Sequence, residues 1–271
     1  MSNNCLRTSV AGVMEKQPVQ RVIDHVVAAV DAAPRLDDPF LHLTFSGIFP
    51  ADTYTAMLDA MPSASDYRAL PGRGGSNLRP DGRSTRVKID LFPEYIRHLP
   101  REKQPVWNIV GRALCAPPVR DAFVSRLAPG LEHRFGSGYA SVGMYPIPIL
   151  TRDIPGYRIK PHTDTHWKGI TVQLYLPRDE SWTDIGTIFH GRENGKLTRV
   201  KQMRFAPNSG YAFAVTDRSW HSADPVHERV TTRDSILLTY FVDQGALRVL
   251  RNRGKRVGNF ILNEVRYATG R

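Results

Sequence analysis

From residue 139 to 243 the chain breaks into short alternating or β-rich runs: YASVGMYPI, YRIKPHTD, ITVQLYLP, GTIFHG, KLTRVKQMRFA, GYAFAV and SILLTYFV. Gly, Pro, Asn and Asp punctuate them, so they predict at least seven strands joined by turns. Helical patterns come before these strands and do not alternate with them. That order predicts an α+β arrangement in which helices buttress a barrel or sandwich of antiparallel sheet. No internal repeat or low-complexity tract offers another architecture.

The N-terminal half supplies the buttress. QRVIDHVVAAVDAA sets Val22, Ile23, Val26, Val27 and Val30 at helical spacing before Pro34 ends the pattern. PFLHLTFSGIFP alternates like a strand, and ADTYTAMLDAMP places Tyr54, Met57, Leu58 and Met61 on one helical face. The segment 71–83, with four glycines and two prolines and no apolar period, reads as a long loop, either a lid or a solvated surface. VWNIVGRALCAPPVRDAFVSRLA reads as two short helices broken at Pro117 and Pro118. The expected division is a disordered or loose arm at 1–18 and a single domain at 19–271. Within that domain fall a buttress at 19–135, a β core at 136–245 and a basic extension at 246–271.

Composition removes several classes of function. Cys5 and Cys115 are the only cysteines, too few for a disulfide framework or a thiolate zinc site. No apolar run is long enough for a membrane span and the N-terminus lacks the order of a signal peptide, so a cytoplasmic protein is expected. The formal charge of +11 suits an anionic small molecule, an acidic carrier or nucleic acid without choosing among them. Arg248, Arg251, Arg253, Lys255 and Arg256, followed by Phe260 and Tyr267, could track phosphates, although a solvated face is the commoner meaning of such a run.

The chemistry-bearing residues sit in the β region. His162 and Asp164 close one strand, where alternate residues point to one face. His221 arrives after GYAFAV and a turn. Two imidazoles and one carboxylate on one side of a metal leave the other side open, the arrangement of Fe(II) centres that also hold a cosubstrate and oxygen. RDSILLTYF then sets Arg233 and Ser235 on one face of a further strand, a guanidinium fork and a hydroxyl suited to a carboxylate.

This set, HTD at 162–164, a distant His221 and Arg233-Asp234-Ser235, resembles the Fe(II)/2-oxoglutarate-dependent oxygenase superfamily. PFLHLTFSGIFPADTYTAML also looks like the N-terminal strand and helix of its bacterial small-molecule members. The resemblance implies a double-stranded β-helix, or jelly roll, core with flanking N-terminal helices. It implies His162, Asp164 and His221 as ligands of Fe(II), with Arg233 and Ser235 holding 2-oxoglutarate and O2 as the other cosubstrate. Tyr145 and Gln173 are further candidates for cosubstrate binding. In that superfamily an Fe(IV)-oxo removes a substrate hydrogen, and the retained Asp164 argues against halogenation, which needs that position cleared.

Arg152, Tyr157 and Arg158, read as part of a loop leading into the metal strand, are candidates for substrate contact, as are Trp167 and Trp220 beside the ligands. His166 is either a rival ligand, if the strand continues, or a tunnel or solvent residue. The leading expectation is a dioxygenase hydroxylating a small anionic molecule such as an amino acid or natural-product intermediate. Desaturation, cyclisation or epimerisation with the same cofactors is the alternative. Nucleic-acid demethylation is disfavoured because the strand runs Leu237-Leu238-Thr239 without a second arginine, and a non-redox cupin-like binding protein is the remaining class. Substrate identity and oligomeric state are not legible.

Overall fold

The computed structural model describes residues 4–72 and 75–243. The helices are α1 (Asn4–Ala32), α2 (Ala51–Asp59), α3 (Pro93–Ile96), α4 (Gln104–Leu114), α5 (Pro117–Arg126) and α6 (Ala128–Phe135). The early strands are β1 (Arg35–Leu36), β2 (His42–Ser46), β3 (Arg68–Ala69) and β4 (Arg86–Asp90). After the helices come β5 (Met144–Asp153), β6 (Ile159–His162), β7 (Lys168–Tyr175), β8 (Ile188–Glu193), β9 (Lys196–Gln202), β10 (Ser209–Ala214), β11 (His221–Ala223) and β12 (Arg233–Val242). They form an antiparallel sheet of eight strands, β1-β2-β10-β7-β12-β5-β4-β3, and one of four, β6-β11-β8-β9. No ladder joins the two among the described residues.

Side-chain alternation gives the large sheet two different faces. Ile170, Val172 and Leu174 of β7 and Ile236, Leu238 and Tyr240 of β12 turn toward the helices. There they meet Val22, Val26 and Val30 of α1, Trp107, Val110 and Leu114 of α4, and Phe123 of α5 in one apolar core. α4 packs closely because Gly111 has no side chain: a Cβ there would lie 2.2 Å from the Leu91 carbonyl oxygen. Pro117 and Pro118 start α5, where a missing backbone N–H costs no helical bond.

The opposite face looks toward the small sheet. Phe189 of β8 packs edge-on against Tyr211 and Phe213 of β10, with centroid distances of 5.0 and 5.9 Å. Phe40, Tyr175, Met203, Phe205 and Val215 complete this aromatic filling between the sheets. It occupies the β10 side and leaves the β5–β12 side to polar groups.

Several expectations are corrected. α1 begins at Asn4, inside the segment 1–18 expected to be a disordered or loose arm, and Pro18 lies within the helix without ending it. β4 was hidden by the mixed charge of RVKID, and β11 by its three-residue length. Residues 151–153 extend β5, so Arg152 belongs to a strand and not to the loop expected there. The described part of the 71–83 loop is pinned: Asn77 is buried and its amide donates to the Leu70 carbonyl at 2.9 Å. Its Arg79 donates to the Pro155 carbonyl. The basic run 248–256 lies outside the described residues. No helix among them is long and apolar enough to cross a membrane.

Candidate metal centre and its polar wall

β6 and β11 pair antiparallel with His162 directly opposite His221, so one rung of the small sheet carries both imidazoles. Their ring centroids are 4.3 Å apart. β6 ends at His162, and Asp164 reaches the same place from the loop that follows. One donor atom from each of the three residues lies within 4.8 Å of the others.

Hydrogen bonds fix what each group presents. His162 Nδ1 lies 2.9 Å from the Lys160 carbonyl oxygen and His221 Nδ1 lies 3.0 Å from that of Ser219. A ring nitrogen facing a carbonyl must carry the proton, which leaves each Nε2 with a free lone pair, the tautomer a metal requires. Burial pushes the His221 imidazole down to about 4 against the pull of the Asp164 carboxylate, so this ring is neutral at physiological pH. Burial works against charge on Asp164 too, but the Lys168 ammonium, His221 and the Thr171 hydroxyl hold its carboxyl well below the ordinary range. Lys168 Nζ donates to Asp164 Oδ1 at 2.6 Å, and Thr171 Oγ1 donates to Oδ2 at 2.6 Å. Two imidazoles anchored through Nδ1 and an ionised carboxylate are a donor set that fits a divalent transition metal.

Beyond Thr171 the inner face of the large sheet continues as a polar wall. The Gln173 amide donates to Ser235 Oγ at 3.1 Å and accepts from the Tyr211 hydroxyl at 2.8 Å. Ser235 Oγ also meets Thr151 Oγ1 at 3.0 Å, while the Tyr211 and Thr187 hydroxyl oxygens lie 2.8 Å apart. The next rung pairs Arg86, Asp153 and Arg233 across β4, β5 and β12. Arg86 grips both Asp153 oxygens at 2.5 and 2.8 Å, and Arg233 Nη2 meets Oδ2 at 2.9 Å. Although burial opposes it, these two guanidiniums keep the Asp153 carboxyl below its ordinary range. Arg233 Nε also bonds Asp153 and Nη1 bonds the Ile185 carbonyl, so among the described residues one N–H on each Nη is without a partner.

The other sequence candidates separate by position. Tyr145 is on the inner face at its far end, stacked on Phe241 at 5.8 Å. Tyr157 is buried beneath Arg86 and Arg233, which lie 4.1 and 5.3 Å over its ring, so it is a stacking platform for the two guanidiniums. Arg152 points to the helical side of the sheet, the direction opposite to Asp153 and Arg233, because neighbours on a strand face opposite ways. There it pairs with Asp234 at 2.7 Å beside a separate cavity of about 420 Å³ that Leu58, Trp182 and Phe205 also line. Arg158 is exposed. His166 is also exposed and lies edge-on to Trp167; the strand has ended, and the residue plays no part in the donor cluster. Trp220 sits beneath the Arg192 guanidinium at 5.5 Å.

Sequence reading missed Asp153, Arg86, Lys88, Lys168 and Thr171. Thr171 shares parity with Gln173 on β7 and was accessible by that rule. Lys88 was not, because its cross-strand neighbours on β3 and β5, Arg68 and Thr151, are distant in the chain. Its ammonium lies 3.0 Å from Asp90 Oδ1, with Arg68 on the other oxygen. Burial and the Arg68 charge push Lys88 down to about 7.

Among solved structures, a prolyl 4-hydroxylase from Phytophthora capsici aligns with a TM-score of 0.50 and 15% identity, over 83% of this chain and 66% of that one. A Pseudomonas putida prolyl-4-hydroxylase gives 0.47 and 15%, over 80% and 98%. A 2OG-Fe(II) oxygenase family oxidoreductase from Burkholderia pseudomallei gives 0.45 and 12%, over 76% and 86%. The first likeness shows a shared fold and nothing finer; the lower scores carry no weight. No protein-family model and no curated protein matches the chain.

Proposed function

We propose that this chain is a cytoplasmic Fe(II)- and 2-oxoglutarate-dependent dioxygenase that hydroxylates a small anionic molecule, such as an amino acid or natural-product intermediate. Its two facing sheets are read as the halves of a double-stranded β-helix. The carrying observation is the convergence of His162, Asp164 and His221 at one point, with both imidazole Nε2 atoms free and a polar wall leading to Arg233.

When bound, Fe(II) would supply the means of activating oxygen with 2-oxoglutarate, a task no side chain performs. The chain's own part is positioning. His162, Asp164 and His221 would hold the metal from one side. The unused N–H groups of Arg233 suit the far carboxylate of 2-oxoglutarate, with Asp153 and Tyr157 fixing the plane of the fork. Ser235 and Gln173 line the path between, their hydroxyl and amide locked by Thr151 and Tyr211. A cosubstrate held this way is oriented before substrate arrives.

The anionic preference is supported by the charge of the wall. Among the described residues Arg86 and Arg233 share one carboxylate, that of Asp153, in their ion pairs. Lys88 remains about one-fifth exposed, within reach of an incoming anion.

Anaerobic addition of Fe(II) and 2-oxoglutarate should raise a weak visible charge-transfer band, and Arg233→Ala should abolish it. Absence of the band in the wild type, or its persistence in Arg233→Ala, would overturn the assignment. Succinate release across candidate acids then finds the substrate, and product mass distinguishes hydroxylation from desaturation, cyclisation or epimerisation.

A further inference from the structure

The Asp164 carboxylate is engaged at both oxygens, and the two engagements differ in kind. Oδ2, 4.0 Å from His221 Nε2, faces the histidines and accepts the neutral Thr171 hydroxyl. One lone pair on that oxygen satisfies the hydroxyl and another is left for a metal. Oδ1 is instead covered by the full positive charge of Lys168 at 2.6 Å.

Lys168 is held in place for this. It opens β7, its backbone N–H closes a turn on the Thr165 carbonyl at 2.9 Å, and its carbonyl accepts from Arg134. Arg134 also donates to the carbonyls of His166 and, at 2.7 Å, Val215, tying the turn to the end of β10. The ammonium is largely buried and Asp164 more so, so water screens their attraction poorly.

We infer that Lys168 is a positioning residue that confines Asp164 to a single metal–oxygen bond through Oδ2, keeping open a coordination position for the cosubstrate while loosening the hold on the metal. The inference rests on the metal-centre reading above. A carboxylate free at both oxygens can chelate, and chelation would consume part of the open side that 2-oxoglutarate must occupy. A fixed ammonium on Oδ1 prevents that attachment. The same ammonium repels a divalent cation a few ångströms away and draws charge from the ligand. Lys168 would therefore act on metal affinity and cosubstrate affinity in opposite directions, which loss of local structure cannot do.

The test is a calorimetric titration of the apo-protein with Mn(II), then of the Mn(II)-loaded protein with 2-oxoglutarate under argon. Lys168→Met and Lys168→Gln should each bind Mn(II) about tenfold more tightly and 2-oxoglutarate about tenfold more weakly, the scale on which groups behind metal ligands act. Lys168→Arg, which keeps charge and donor, should restore wild-type behaviour. Thr171→Val, which frees Oδ2 from its orienting hydroxyl, should weaken Mn(II) binding. If Lys168→Met and Lys168→Gln fold, by circular dichroism, yet bind Mn(II) as the wild type does or more weakly, the role of Lys168 is overturned and the metal centre stands. If the wild type itself binds no Mn(II), the metal-centre reading falls and this inference with it.

Discussion

The two faces of the eight-stranded sheet are comparably buried and chemically opposite. On β7, Ile170, Val172 and Leu174 face the helices while Thr171, Gln173 and Tyr175 face the small sheet, and none of the six is more than 9% exposed. On β12, Ile236, Leu238 and Tyr240 alternate in the same way with Arg233, Ser235 and Thr239. Exclusion of water therefore does not separate core from site. On the helical face burial is stabilising in itself. On the inner face each buried polar group has to be matched by another, and the cost of a mismatch fixes where each one points.

The comparison is sharpest where a single partner is removed. Asp153→Ala leaves Arg86 and Arg233 buried without their shared anion and should destabilise the fold by about 3–5 kcal/mol in a urea titration. It should also weaken 2-oxoglutarate binding, since Arg233 loses the group that orients it. Leu238→Ala, one strand over and on the helical face, should cost about 3 kcal/mol through its cavity and leave Mn(II) and 2-oxoglutarate affinities unchanged. Equal losses of ligand affinity in both variants would erase the distinction between the faces.

The smallest expected effect concerns Lys88. Its folded value, about 7, lies below the ordinary lysine value of 10.5, so between those limits the native state binds fewer protons than the unfolded chain. Its contribution is thus a penalty, full below pH 7 and relieved as pH rises toward 10.5. Lys88→Met should be more stable than wild type at neutral pH by about 1 kcal/mol, a figure reduced for partial exposure. That advantage should shrink as urea titrations move to higher pH; an advantage independent of pH would assign it to packing.

Much of the site could be read from strand parity. Arg233 and Ser235 share a face because they are two residues apart on one strand, whereas Gln173 was named from the family resemblance, by its place on the strand after the HTD segment. For Asp164 the rule gave the right neighbourhood for the wrong reason: β6 stops at His162, and a loop carries the carboxylate in. The same early stop sends His166 to solvent. Arg152 failed in the reverse sense, since a stretch read as loop is strand and parity turns its guanidinium toward the helices. Arg86 and Lys88 were invisible because RVKID gives no apolar alternation; its place beside β5 depends on pairing with residues about sixty positions away.

The amino-acid sequence by itself determined the period of most of the later strands, the order of helices before sheet, and a donor set of two imidazoles, a carboxylate and a guanidinium. These are local properties, set by spacing along one segment and by side-chain chemistry. Only the tertiary structure decided that His162 stands opposite His221, that Arg233 shares Asp153 with Arg86, and that Lys168 covers one oxygen of Asp164. Register between distant segments is fixed by the collective packing of both faces, and a shift of one residue would turn every one of these side chains to the other side.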